Sequence, residues 1–213
     1  MIDGYSILPN GVIKQKSIFN KIQTYDNDYI QTYEEYGEIG IRMSYLRLGN
    51  IIGALGYKPR EILDVGYGNG DFLRVTRDSG IKSYGSDISG YPTPNGVEFV
   101  SWDNVLVNKF EVITFFDCLE HFKDISFVKD LMCDFIVITL PWCHYYIEGD
   151  EWFKNWKHRK PDEHLWHFND ESLSNFMKEN GYMYISTTNV EDVIRKPIDN
   201  NKNILTGIYK KNG

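Results

Sequence analysis

The sequence predicts an α/β fold in which a mostly parallel central sheet of about seven strands is flanked by helices. From residue 61 onward, short apolar runs alternate with helical segments, which is typical of such a sheet. The runs VITFF and FIVITL are apolar on both faces, as central strands are when helices cover both sides. The chain has 213 residues and contains neither an internal repeat nor a low-complexity linker. We therefore predict a single domain over residues 1–213.

Residues 1–58 are expected to form an N-terminal arm and a helical cap. The turn signal Pro9-Asn10-Gly11 favours a short hairpin or an irregular arm near the start. A helix with tyrosines on one face and a second helix over residues 43–57 are predicted to follow. The tyrosine face either packs onto the sheet or serves as a lid. The tyrosines are Tyr25, Tyr29, Tyr33 and Tyr36.

Residues 59–213 are expected to form the core. A helix over residues 169–182 is predicted to have Asn169 as its N-cap and Gly181 at its end. The predicted strands cover residues 61–66, 83–88, 97–102, 110–117, 135–141, 183–194 and 204–211.

The stretch EILDVGYGNGDFLRV has glycines at positions 66, 68 and 70 between the first core strand and the next helix. At such a turn, free backbone N–H groups point out at the carboxyl edge of the sheet, where open α/β folds bind ligands. Glycine lets a ligand approach the backbone because no Cβ stands in the way. The spacing is G-x-G-x-G, which differs from the G-x-G-x-x-G of a pyrophosphate binder.

Three acidic residues are predicted to lie at successive strand ends along this edge. They are Asp64, Asp87 and Asp103. A carboxylate at position 87 can accept both hydroxyls of a ribose, and one at position 103 could accept from an adenine amino group. Each acid alone could instead serve a turn or a helix cap, but the ordered set favours nucleoside binding.

Four segments resemble the successive motifs of the class I S-adenosylmethionine-dependent methyltransferases. They are ILDVGYGNGDFL, YGSDIS, FEVITFFDCLEHF and FIVITLPW, and the resemblance covers roughly residues 60–185. The segment FFDCLEHF is also similar to the D-x-L-E-H segment of small-molecule methyltransferases. The resemblance implies a Rossmann-like fold, S-adenosylmethionine as the cofactor and S-adenosylhomocysteine as its product.

The resemblance also implies which residues bind the methyl donor. Asp64 and the glycine loop would hold its methionine part, Asp87 its ribose, and Trp102 with Asp103 its adenine edge, although Trp102 could simply be core. Asp117 and Cys118 would line the side of the methyl group. The full predicted set is Asp64, Gly66, Gly68, Gly70, Asp87, Ile88, Trp102, Asp103, Asp117 and Cys118.

His121 and His164 are the candidate catalytic residues. A methyl sulfonium is already activated, so the protein mainly has to align the acceptor and exclude water. If a base is used, His121 is well placed, since it follows the fourth core strand; a purely structural role is the alternative. His164 and His167 with Glu163 lack the spacing of a known metal site, so no metal is expected.

The stretch 142–168 is an aromatic-rich insertion, with four tryptophans, two tyrosines and two phenylalanines. It predicts either the wall or lid of an acceptor pocket, or a second small core. The same stretch carries a basic patch at residues 154–160, which leaves a nucleic-acid methyltransferase as an alternative. A non-catalytic subunit that only binds the donor is a further alternative.

The net charge of −7 and the pI of about 5.3 argue against binding along a phosphate backbone. A small-molecule partner is therefore expected, and nucleic acid is not. No run approaches the apolar length of a membrane span of about 18 residues, and no signal peptide is recognised. Three cysteines without C-x-x-C spacing fit a reducing compartment. We therefore expect a cytoplasmic protein without membrane association; the sequence makes no prediction of oligomeric state.

Overall fold

The computed structural model describes residues 3–17, 37–197 and 200–213. The predicted helix with the tyrosine face lies outside these residues. The described helices are α1 (Gly37–Leu55), α2 (Asp71–Asp78), α3 (Trp102–Val107), α4 (Tyr145–Asn155) and α5 (Asp170–Glu179), with 3-10 turns at Leu119–His121, Ser126–Asp130 and Val190–Val193. The strands are β1 (Tyr5–Ile7), β2 (Ile13–Gln15), β3 (Glu61–Val65), β4 (Lys82–Ser86), β5 (Glu98–Phe99), β6 (Phe110–Phe116), β7 (Cys133–Pro141), β8 (Trp166–His167), β9 (Tyr182–Thr188) and β10 (Ile204–Lys211).

Seven strands form the central sheet in the order β5-β4-β3-β6-β7-β10-β9. The first five run parallel, and β10 lies antiparallel to both of its neighbours. Strand β3 is central, and Asp64 lies opposite Gly85 on one side and Thr114 on the other. The predicted mostly parallel, Rossmann-like sheet is confirmed.

Helices cover both faces of the central sheet. Successive side chains of a strand point to opposite faces, and here the central strands carry apolar side chains on both faces, which need to be buried. On one face Ile62 and Val112 pack with Leu48 and Ile51 of α1. On the other face, buried strand residues such as Ile113 pack in one cluster with side chains of α5. This burial on both sides explains why the runs VITFF and FIVITL carry apolar residues on both faces of their strands.

A second sheet joins the N-terminal hairpin to the aromatic-rich stretch. β1 pairs with β2, and β2 pairs with β8 in antiparallel fashion. Tyr5 and Ile13 from the hairpin pack with Cys143 and Phe153, and Phe153 is fully buried. Of the two predictions for residues 142–168, the structure therefore favours a second small core, which the hairpin completes.

Three predicted elements differ from the structure. The helix expected at 43–57 spans Gly37–Leu55 instead, so it begins six residues earlier than predicted. The strand expected at 97–102 is only Glu98–Phe99, and the chain then turns at Ser101 into α3. β5 is a short edge strand that pairs with β4 at two positions only, so little holds the chain extended beyond them. The strand expected at 183–194 ends at Thr188, because the Asn189 side chain donates to Asp192 across a 3-10 turn.

The start of α5 is as predicted. The Asn169 side chain accepts from the Ser172 backbone N–H, and the Ser172 hydroxyl accepts from the Asn169 backbone N–H, which makes a reciprocal capping box. Among the described helices, none has the length and apolar character needed to cross a bilayer.

Candidate functional site

The glycine loop connects β3 to α2 with three residues in the left-handed region. The φ angles of Gly66, Gly68 and Gly70 are 75°, 55° and 78°, which side chains other than glycine rarely adopt. A Cβ at Gly66 would overlap Cys118, and one at Gly70 would lie 2.7 Å from Pro94. A Cβ at Gly68, in contrast, meets no described atom within 4 Å. Space for a ligand therefore lies in front of Gly68.

Asp87 follows β4 and is bound directly to this loop. Its Oδ2 accepts from the Gly68 backbone N–H at 3.0 Å, and its Oδ1 accepts from the Ser89 N–H at 2.8 Å. Each carboxylate oxygen keeps a second lone pair. The side chain is thus held in place yet can accept two more hydrogen bonds. The next residue, Ile88, is 84% exposed and presents an apolar surface beside it.

Asp64 lies in the interior, with 3% of its surface exposed. Its Oδ1 accepts from the Thr114 hydroxyl at 2.6 Å. Burial raises the pKa of Asp64 to about 7, and the hydrogen bond from Thr114 opposes that rise. Asp64 thus contacts β6 near the end of β3, two positions before Gly66 in the chain.

Asp117 follows β6 and belongs to a network of partly buried ion pairs. Arg195 Nη1 lies 2.7 Å and Arg47 Nη2 3.2 Å from its Oδ2. Arg47 Nε also lies 2.7 Å from Glu191 Oε1, and the Glu191 side chain is fully buried. Burial alone would raise the pKa of Asp117, but the two guanidinium groups outweigh it and hold that pKa below its usual range. Asp117 has a φ of 49°, a conformation that the network stabilises.

Cys118 packs its Sγ against Gly66. Burial, with a further contribution from Glu120, raises the pKa of the Cys118 thiol well above its ordinary value. A thiol in this environment stays protonated and is a poor nucleophile. The structure therefore gives Cys118 a packing role at the loop.

Trp102 and Asp103 begin α3 and differ in their surroundings. The Trp102 ring packs against Phe122 and Phe127, with centroid distances of 5.3 and 4.8 Å, so it belongs to the edge of the core. Asp103 is exposed in the first turn of the helix. The prediction that Asp103 ends a strand is wrong, since β5 stops at Phe99.

His121 and His164 are 43 positions apart in sequence (164 − 121) but adjacent in space. Their rings meet at right angles with centroids 4.7 Å apart. Burial lowers the pKa of His121, and it lowers the pKa of His164 to about 2. Both imidazoles are therefore neutral at neutral pH. His167 packs elsewhere, against Tyr5 and Phe153.

Glu120 completes this cluster and was not predicted as a site residue. It is 1% exposed, and neither carboxylate oxygen has a hydrogen-bond partner among the described residues. Burial first, and then the negative charge of Asp117, raise the pKa of Glu120 well above its usual range. Its position in the D-x-L-E-H segment was the feature of the sequence that could have identified Glu120 as a site residue. Glu191 and Arg195 had no comparable signal.

The basic patch at residues 154–160 is interspersed with acidic partners. Lys154 lies 3.6 Å from Glu151, and Lys160 lies 2.7 Å from Glu163. The patch therefore does not present an uninterrupted cationic surface.

A comparison with protein families finds that the methyltransferase domain family matches residues 40–187. The match spans more than half of the chain and includes the glycine loop, Asp87 and the Glu120 cluster. The chain belongs to this family. The prediction of a class I methyltransferase is thereby confirmed, although the D-x-L-E-H subgroup is not. No protein among the curated sequences matches the chain.

Solved structures of methyltransferases share the fold. 1,6-Didemethyltoxoflavin-N1-methyltransferase from Burkholderia thailandensis, solved with bound 1,6-didemethyltoxoflavin and S-adenosylhomocysteine, aligns over 98% of this chain and 99% of its own, with 14% identity and a TM-score of 0.59. Magnesium protoporphyrin IX methyltransferase from Synechocystis PCC 6803, with bound S-adenosylhomocysteine, aligns over 88% and 96%, with 15% identity and a TM-score of 0.58. The plantazolicin methyltransferase aligns over 87% and 90%, with 15% identity and a TM-score of 0.57.

Proposed function

We propose that this methyltransferase takes its methyl group from S-adenosylmethionine and transfers it to a small-molecule acceptor. The observation that carries the proposal is the hydrogen bond from the Gly68 N–H to Asp87, with open space in front of Gly68. This hydrogen bond joins the glycine loop to the Asp87 carboxylate, each of whose oxygens can accept one further hydrogen bond. This is the geometry needed to hold a nucleoside and the group attached to it.

The residues at this edge fit the parts of the donor. Asp87 would accept the two ribose hydroxyls, and the exposed side chain of Ile88 would cover one face of the adenine. Asp103, exposed at the start of α3, can reach toward the adenine amino group, while Trp102 supports that wall from the core. The glycine loop, with Asp64 beneath it and Asp117 and Cys118 beside it, would enclose the methionine part.

The bound donor would supply an activated methyl sulfonium. The residues of the chain would then have to orient the acceptor and exclude water, which accounts for most of the rate that such a site must provide. No residue has to become a covalent nucleophile, in line with the raised pKa of the Cys118 thiol. The assignment of His121 as a general base stays a prediction.

A small molecule is the acceptor that the charge and the structural neighbours support. The net charge is −7, and the lysines of the basic patch lie close to glutamates. The neighbours named above act on a toxoflavin precursor, a magnesium porphyrin and plantazolicin. We therefore propose a small-molecule acceptor, and we expect the protein to be cytoplasmic.

Isothermal titration with S-adenosylhomocysteine tests the donor site. We expect one site per chain and about 100-fold weaker binding for Asp87→Ala, because two hydrogen bonds to a charged acceptor are lost. Asp78→Ala, an exposed acid on α2 (61% exposed side chain), is the matched control and should bind like the parent protein. No binding by the intact protein, or equal binding by both variants, would refute the donor site.

Incubation of the purified protein with cell extract and isotopically labelled S-adenosylmethionine tests the transfer. We expect the label in the small-molecule fraction, identified by mass spectrometry. Tight donor binding without any labelled product would instead support a non-catalytic donor-binding subunit.

A further inference from the structure

Glu120, His121 and His164 form a compact group of ligand atoms. One carboxylate oxygen and one ring nitrogen from each histidine lie within 4.8 Å of one another. For atoms at this separation, some point lies within about 2.8 Å of all three, whereas Zn²⁺ binds such ligands at about 2.0–2.2 Å. Side-chain shifts of less than about 1 Å would bring all three atoms into coordination.

The Glu120 carboxyl is buried without a hydrogen-bonded side-chain partner among the described residues. Its side chain is 1% exposed, and both oxygens lack a hydrogen-bond partner there. Buried carboxylates in proteins are almost always paired, hydrogen-bonded or bound to a metal. A bound cation would supply the missing partner.

His164 is held in an orientation that suits a metal ligand. His164 Nδ1 lies 2.8 Å from the His158 carbonyl, to which it donates, so Nε2 carries the free lone pair. Such bonds from the second ring nitrogen to a carbonyl fix the tautomer and strengthen the ligand. The His121 ring packs against the His164 ring at right angles, with centroids 4.7 Å apart, and one of its nitrogens lies within 4.8 Å of the other two ligand atoms.

We propose that Glu120, His121 and His164 bind one divalent transition-metal ion. One carboxylate with two imidazoles suits Zn²⁺ and its first-row neighbours better than Mg²⁺ or Ca²⁺, which prefer oxygen ligands. Three protein ligands leave at least one position for water or for an oxygen atom of an acceptor. The ligand set differs from the one considered in the sequence, because His167 lies in the aromatic core and Glu120 takes the place of Glu163.

The site is adjacent to the proposed donor site but does not depend on it. Glu120 is two positions after Cys118, whose Sγ contacts Gly66 of the glycine loop. An ion here would therefore lie at the carboxyl edge of β6. Metal binding can be measured without S-adenosylmethionine, so failure of one proposal would leave the other standing.

Titration of EDTA-treated full-length protein with Zn²⁺ and with Co²⁺ tests the proposal. We expect one ion per chain, micromolar or tighter affinity, and visible Co²⁺ bands typical of four- or five-coordination. Glu120→Gln and His164→Asn should each weaken Zn²⁺ binding at least tenfold. Glu163→Gln is the matched control, since Glu163 lies beside His164 but outside the proposed ligand set, and it should bind within about twofold of the parent.

The stability of the metal-free protein separates ligation from an ordinary structural role. A buried carboxyl without partners destabilises the fold, so metal-free Glu120→Gln should unfold at no lower urea concentration than the metal-free parent. Added Zn²⁺ should raise the unfolding midpoint of the parent and leave that of Glu120→Gln unchanged. The proposal fails if the parent binds neither ion, if Glu120→Gln binds as tightly as the parent, or if Glu163→Gln alone abolishes binding.

Discussion

At position 64 one side chain couples the ligand-binding edge to the stability of the core. The pKa of the Asp64 carboxyl is raised from 3.8 to about 7 by burial. The folded protein therefore holds this proton more tightly than the unfolded chain does. Between pH 4 and pH 7 the contribution of Asp64 to the free energy of unfolding falls as the pH rises. Above pH 7 the ionised Asp64 carboxylate destabilises the fold by its full amount.

Asp64→Asn should remove this cost while keeping an oxygen that accepts from Thr114. We expect the variant to match the parent near pH 4 and to exceed its free energy of unfolding by about 1–3 kcal/mol at pH 8. Urea unfolding at the two pH values measures the difference. Asp78→Asn, on the surface of α2, should show no pH-dependent gain; a gap between Asp64→Asn and the parent that stays constant with pH would contradict the burial argument.

Among the elements, the ion-pair network ties α1 to the end of β6 and to the turn at Val190–Val193. Arg47 on α1 contacts Asp117 and Glu191, and its guanidinium also lies 4.2 Å from the Phe116 ring centroid. Helix α1 in addition buries Leu48 and Ile51 against the sheet. It is therefore a layer of the fold, and its position is coupled to Asp117 at the carboxyl end of β6.

Arg47→Met should lower the free energy of unfolding by about 3–5 kcal/mol, because it leaves Glu191 buried with fewer charged partners. Arg42→Met, an exposed arginine of the same helix, is the control and should cost less than about 0.5 kcal/mol. Urea unfolding at neutral pH compares them. Adding Glu191→Gln to Arg47→Met should recover part of the loss; similar stability of the two single variants would show that the network is energetically neutral.

The elements that the sequence predicts are those with a local pattern. Alternating apolar runs located the central strands, the glycines located the loop, and Asn169 located the start of α5. Strand β8 has two residues and no periodicity, and its partner Ile13 comes from a distant part of the chain. Its pairing is decided by tertiary contacts that no local pattern encodes.

The residues of the candidate site likewise fall into those that a local sequence pattern predicts and those that it does not. Gly68 and Asp87 were predicted because the turn and the strand end require those residue types. Glu120, Glu191 and Arg195 were not, since acidic and basic residues normally lie at the surface. The burial of Glu191 depends on its ion pair with Arg47, which lies 144 positions away in the chain (191 − 47).

For the molecule as a whole, the balance of charge bears on the kind of partner. The chain carries 30 acidic and 23 basic residues, and glutamates lie near Lys154 and Lys160 in the basic patch. Long-range repulsion from a polyanion therefore outweighs local attraction to this patch.

We expect no electrophoretic shift of transfer RNA or of duplex DNA at low salt and micromolar protein. A shift that decreases steeply as salt is added would indicate phosphate contacts. That result would favour the nucleic-acid methyltransferase alternative over the small-molecule acceptor.

The position of β10 between β7 and β9 constrains the order in which the sheet can assemble. β9 precedes β10 in the chain, yet its only partner in the central sheet is β10. When β9 has been synthesised, it must therefore wait unpaired until residues 204–211 have emerged and docked on β7. Until then the exposed edge of β7, which is apolar on both faces, is open to pairing with other chains. The rate at which this short segment reaches its place thus competes with aggregation of the nascent protein.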